Sequence, residues 1–176
     1  MTAALLALAL LHESGVSSSR MELRGNELRV TFTFSLDDVA GLARLDADRN
    51  GIVDADEWKR VLPAIFTYIG DHFRIDGCRS EGDLNALPNA GAPVNLSVRY
   101  VSAQPLDLLK IRCDLFREHG GNPRHIAELP GGDTIVFDAA RPEAQRPIAP
   151  SKPRWPWFAA AAVAVLGAIA WLSKFR

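Results

Sequence analysis

The sequence predicts a mainly β domain: an antiparallel, immunoglobulin-like β-sandwich, with a helix–loop–helix inserted after its second strand and one membrane-spanning helix near its C-terminal end. Three observations carry this expectation. Short segments of apolar/polar alternation recur between turn residues, as where Leu28, Val30, Phe32 and Phe34 alternate with Arg29, Thr31, Thr33 and Ser35, the pattern of strands with one buried face. One acidic stretch near residue 50 is flanked by apolar residues at helical spacing instead. From Trp155 to Leu172 the chain carries roughly 18 residues without a charge, about the minimum for a helix across a bilayer core.

At 176 residues the chain has room for one core plus segments at its ends. The formal net charge is -1, with both signs interspersed, so the large basic surface that nucleic-acid binding needs is missing.

The first strand is expected over residues 17–24 and the second over 28–35, with Gly25-Asn26 as the turn that makes them a hairpin. Ser35 then reads as a helix N-cap with Asp38 three positions on, the acidic member of a capping box, and Leu36, Val39, Ala40 and Ala43 follow at helical spacing. A second helix carries Trp58, Val61, Leu62, Ile65, Phe66 and Ile69 as one apolar stripe. Pro63 lies inside it and predicts a kink or a break. The insertion spans 36–70. Strand patterns return at 72–76, 94–100, 106–116, 124–129 and 134–138, the last two joined by Pro130-Gly131-Gly132-Asp133 as a final hairpin, for roughly seven strands in all. Residues 77–93 read as loop. The domain is expected to span residues 12–140. Residues 141–154, rich in proline and charge without an apolar period, read as a linker to the membrane.

The two ends have their own logic. Trp155, Trp157 and Trp171 sit near the ends of the apolar run at 155–172, and Lys152, Arg154, Lys174 and Arg176 close it off, as in a transmembrane helix whose partner is the lipid bilayer. Residues 173–176 form a basic tail. Ala3 to Leu11 has the length of a signal-peptide core but lacks a basic n-region, so residues 1–11 read as a signal-like segment or as an apolar strand. Export would put the domain on the periplasmic or extracellular side of the cell membrane. The alternative is a tail-anchored cytoplasmic protein. Cys78 and Cys113 are an even count that pairs in an exported domain and otherwise makes two buried thiols.

The segment Asp46-Ala47-Asp48-Arg49-Asn50-Gly51-Ile52-Val53-Asp54-Ala55-Asp56-Glu57 fits the EF-hand calcium loop position by position. Calcium takes six to eight oxygens, so the loop must curl and present them from alternate residues. Asp46, Asp48 and Asn50 supply side-chain oxygens, Gly51 allows the sharp turn, and Ile52 offers its carbonyl. Asp54 coordinates directly or through water, and Glu57 adds a bidentate carboxylate. Val53 is expected to tie the loop to the core. Magnesium fits less well, because it demands octahedral geometry. No second loop is present, and an unpaired site reads as a structural clamp.

No nucleophile–base motif or tuned carboxylate pair is recognisable, so the chain reads as a non-enzyme. Of the histidines, His119 and His125 flank a Gly-Gly-Asn-Pro turn and read more simply as exposed loop residues than as a metal pair. His12 would chelate copper or nickel only after a cleavage just before it.

Three stretches, HESGVSSSRMELRGNELRVTFTF, LDADRNGIVDADEW and HIAELPGGDTIVFDAARPEAQ, together with the order of elements, resemble the extracytoplasmic domain of HupE/UreJ-type bacterial membrane proteins. The resemblance implies the soluble domain of nickel permeases that serve hydrogenase and urease. Members of that family continue into several transmembrane helices, where this chain has one span, too little for a pathway by itself. The expected function is therefore a calcium-binding, membrane-anchored accessory module. The alternatives are a subunit of a metal permease, with a membrane protein as partner, and a hydrolase whose site is assembled only in space.

Overall fold

The computed structural model describes residues 15–83, 93–117 and 122–148. Within them the chain is mainly β. Strands β1 (Val16–Arg24) and β2 (Glu27–Phe34) lead into helices α1 (Leu36–Leu42) and α2 (Ala55–His72), and seven strands follow: β3 (Phe73–Ile75), β4 (Cys78–Gly82), β5 (Val94–Ser102), β6 (Leu108–Cys113), β7 (Arg124–Glu128), β8 (Thr134–Phe137) and β9 (Glu143–Pro147). They form a six-stranded sheet in the order β4-β5-β2-β1-β7-β8 and a three-stranded sheet in the order β3-β6-β9.

The opening hairpin forms as its alternation requires. Arg24 pairs with Glu27 across a two-residue turn, and Gly25 at φ 64° supplies the left-handed backbone that such a turn takes at its first position. Asn26 ties the turn to the end of β5, its side-chain amide donating to the Ser102 carbonyl at 2.7 Å. On β2, Leu28, Val30, Phe32 and Phe34 are fully buried, each worth about 1.5–3 kcal/mol of transfer free energy. Phe73 of the three-stranded sheet meets this face edge-on, its ring 5.0 Å from that of Phe32 and 6.1 Å from that of Tyr100. The buried Tyr100 hydroxyl donates to the Phe73 carbonyl at 2.9 Å, so the core buries a phenol without leaving it unpaired.

Several expectations need correction. The large sheet is mixed rather than antiparallel, because β1 pairs in parallel with β7, Val16 opposite Arg124 and Arg20 opposite Glu128. Everything between the two strands, both helices and strands β3 and β6 of the small sheet included, serves as the crossover that a parallel pair demands. The stretch read as loop before residue 93 contains β4, and the stretch read as linker contains β9, which pairs with β6. Both are edge strands with little apolar alternation, so periodicity passes over them. The described strands number nine rather than seven.

Helix α2 runs unbroken through Pro63. The ring sits on the exposed face beside exposed Lys59, whose carbonyl loses its helical donor where water can replace it. Trp58, Val61, Leu62, Ile65 and Ile69 are buried on the other side and hold both halves to one core. Phe66 presses so closely on β4 that a Cβ at Gly82 would lie 2.3 Å from its ring. The helix thereby packs against the edge strand of the six-stranded sheet.

Among the described residues no helix is long and apolar enough to cross a membrane. The segments 1–11, 155–172 and 173–176 lie outside the described residues, as do His12 and His119.

Candidate metal centre

The acidic loop hangs between two anchors. Leu45 is buried just before it, and Val53, half-buried, packs against the core near its end. Asp54 caps α2, its Oδ1 accepting from the backbone N–H groups of Asp56 at 2.9 Å and Glu57 at 2.8 Å, while Glu57 answers from the first turn by accepting the Asp54 N–H at 3.1 Å. This reciprocal cap fixes where the Glu57 carboxylate points. The same arrangement at α1, Ser35 with Asp38, fixes the other helix as expected.

Between the anchors the backbone turns sharply at Arg49 (φ 64°) and Gly51 (φ 82°). The Gly51 N–H then points inward, donating to Asp46 Oδ2 at 2.9 Å, and the Asn50 N–H reaches Asp46 Oδ1 at 3.1 Å and Asp48 Oδ1 at 3.0 Å. The donated Gly51 N–H, more than any other contact, holds the Asp46 carboxyl below its usual range. The Asn50 side chain donates to Asp48 Oδ2 at 2.8 Å and accepts from the Ile52 N–H at 2.7 Å. Glu57 is only 4 % exposed, and its Oε1 accepts from the Ala47 N–H at 2.7 Å.

The result is that Asp46, Asp48 and Glu57 bring carboxylate oxygens within 4.8 Å of one another, an acidic triad able to hold a metal ion. Like charges this close repel, and one of them is buried. Backbone N–H groups offset part of that cost, and a cation offsets more. Of the other expected ligands, Asn50 joins the cluster through Asp48, whereas Asp54 is engaged as the helix cap. Ile52 turns its side chain to solvent, 66 % exposed, which suits a residue whose expected contribution is its carbonyl.

A second polar cluster was not visible as a motif. His125, expected as an exposed loop residue, is buried on β7 at 3 % exposure. Its Nδ1 lies 2.8 Å from Ser17 Oγ and its Nε2 2.9 Å from Ser19 Oγ, both on the neighbouring strand β1. The rings of Phe32, Phe73 and Phe137 surround it. Burial pushes the imidazole down to about 3, so at neutral pH one ring N–H donates to one serine and the other nitrogen accepts from the other hydroxyl. Both serines are themselves buried. A serine–histidine pair invites comparison with hydrolytic sites, but these hydroxyls have no access to a substrate. The arrangement pins β1 to β7. The alternation His125, Ala127, Leu129 along β7, matched with Ser17 and Ser19 on β1, is the signal that locates it.

Cys78, half-buried, and Cys113, buried, are free thiols in the structure. They lie on strands of different sheets, opposite Ser102 and Phe73 respectively. Burial pushes the Cys113 thiol up to about 12 and raises that of Cys78 as well, which keeps both protonated at neutral pH.

No protein-family model matches the chain, and no curated protein matches it at a significant level.

Proposed function

We propose that residues 46–57 form an EF-hand calcium site that braces the domain. The observation that carries this reading is the triad of Asp46, Asp48 and Glu57 oxygens within 4.8 Å, on a loop whose residue types match calcium's demand for oxygen ligands. Asn50, the Ile52 carbonyl and Asp54 complete the set. Calcium supplies positive charge to a cluster of carboxylates and engages no chemistry beyond that. The chain's own residues do the rest: Leu45 and Val53 tie the loop to the core, and Glu57 links it to α2. Binding to the folded state alone raises stability by mass action. Calorimetry with calcium and with magnesium tests the site, and absence of calcium heat in the wild-type protein would sink it.

In the wider reading the domain is a β-sandwich carried on a single C-terminal membrane span at 155–172, facing the periplasm or cell exterior as a binding or accessory module. Its support is the uncharged run with tryptophans and basic residues at its ends, together with the likeness to HupE/UreJ-type domains. Protease protection in intact cells decides sidedness. Co-purification with a multi-span membrane protein would favour the permease-subunit role.

A further inference from the structure

Asn50 and Gly51 stand exposed at the crest of the acidic loop and form the only Asn-Gly pair in the chain. In such a pair the backbone nitrogen after asparagine meets least obstruction in closing on the side-chain carbonyl carbon, because glycine has no Cβ. Both reacting groups are held in the folded loop. The Gly51 N–H is donated to Asp46 Oδ2 at 2.9 Å. The Asn50 carboxamide is fixed at both ends, its oxygen by the Ile52 N–H at 2.7 Å and its nitrogen by Asp48 Oδ2 at 2.8 Å.

We infer that Asn50 is a site of spontaneous deamidation, with water as co-reactant, and that the hydrogen bonds of the folded loop restrain it. In the reaction the Gly51 nitrogen gives up its proton to solvent hydroxide and bonds to Cγ of Asn50. The bond from Cγ to the side-chain nitrogen breaks, and ammonia leaves with a proton taken from water. A cyclic imide remains. Water then adds to one of its two carbonyls, leaving aspartate or isoaspartate at position 50. One water is consumed, one ammonia is released, and nothing is oxidised or reduced. Reaction cannot proceed while the Gly51 nitrogen is committed to Asp46, so local opening of the loop sets the rate.

The two products act differently on the loop. Aspartate adds a carboxylate beside Asp46 and Asp48, which strengthens attraction for a cation. Isoaspartate lengthens the backbone by one carbon and carries Gly51 out of register with Asp46. This consequence, unlike the reaction itself, rests on the calcium reading.

The test ages the purified full chain at mildly alkaline pH and follows amide-to-acid exchange at each asparagine by peptide mass spectrometry, with an isoaspartate assay alongside. Exchange is expected at Asn50 ahead of Asn26 and Asn95. It is expected to run several-fold faster in urea, and in folded Asp46→Ala, than in the folded wild type, and to slow in urea on Gly51→Ala. Absence of preferential exchange at Asn50 in urea, or equal rates in the folded and denatured chain, would overturn the inference. A parallel arm compares calcium with chelator. Slower exchange in calcium supports both readings. Equal rates there, with the folded chain still slower than the denatured one, would count against the calcium site alone.

Discussion

The acidic loop collects its oxygens from one short run of sequence, residues 46 to 57, whereas the histidine pin joins His125 to serines 108 and 106 positions away. The loop is largely exposed, so it can carry several negative charges with water and backbone N–H groups as compensation. The pin is buried, so it must be neutral, and it is satisfied by hydroxyls rather than carboxylates. Solvent access therefore decides which polar chemistry each region tolerates. It also decides what each region does: the loop has open coordination to offer, while the pin has spent both ring nitrogens on holding two strands together.

This contrast can be broken most directly at the pin. His125→Ala removes a ring from a fully packed site and leaves the hydroxyls of Ser17 and Ser19 unpaired, and is expected to cost about 3–5 kcal/mol in denaturant unfolding. A loss below about 1 kcal/mol would show that the parallel β1–β7 ladder does not depend on it.

Acid separates the two regions. His125 drops from its ordinary value of 6.5 to about 3 on folding. The unfolded chain therefore takes up a proton first, and stability that is complete above pH 6.5 is lost as pH falls toward about 3, with a slope of about 1.4 kcal/mol per pH unit. Asp46 is lowered from 3.8, so its contribution disappears only below that value. Urea titrations at several pH values should show the upper window flatten in His125→Gln and remain in Asp46→Asn. The same slope in both variants would mean that the histidine is not buried in its neutral form.

At the loop, Glu57→Ala deprives the Ala47 and Asp54 N–H groups of their shared acceptor and is expected to cost about 1–3 kcal/mol even in chelator. Glu57→Gln keeps the carboxamide oxygen, so it should cost less in chelator and still weaken calcium binding sharply. Differential scanning calorimetry in chelator and in calcium distinguishes the two roles. Calcium at a hundredfold excess over Kd is expected to stabilise the wild type by about 2.7 kcal/mol and to raise its Tm accordingly. Identical Tm values in calcium and chelator would reduce the loop to a surface turn.

How much of this was legible depended on the range of the interactions. The β1–β2 hairpin, the Ser35–Asp38 capping box, the buried stripe of α2 and the alternation of β6 follow from spacings within a few residues. The acidic triad was equally legible, because helix caps and a glycine turn bring its members together locally. The parallel pairing of β1 with β7, the unbroken helix through Pro63 and the burial of His125 were not. Each depends on what lies across the core from it. Strands β4 and β9 escaped for a related reason: an edge strand is defined by its neighbour's hydrogen bonds, and its own side chains need not alternate.

The sequence by itself determined the local chemistry: where the chain turns, how α1 is capped, and that acidic residues of 46–57 gather at one loop. Only the tertiary structure decided which polar groups are shut away from water. Burial belongs to packed layers rather than to residues, and it turned His125 from an apparent loop residue into a neutral pin.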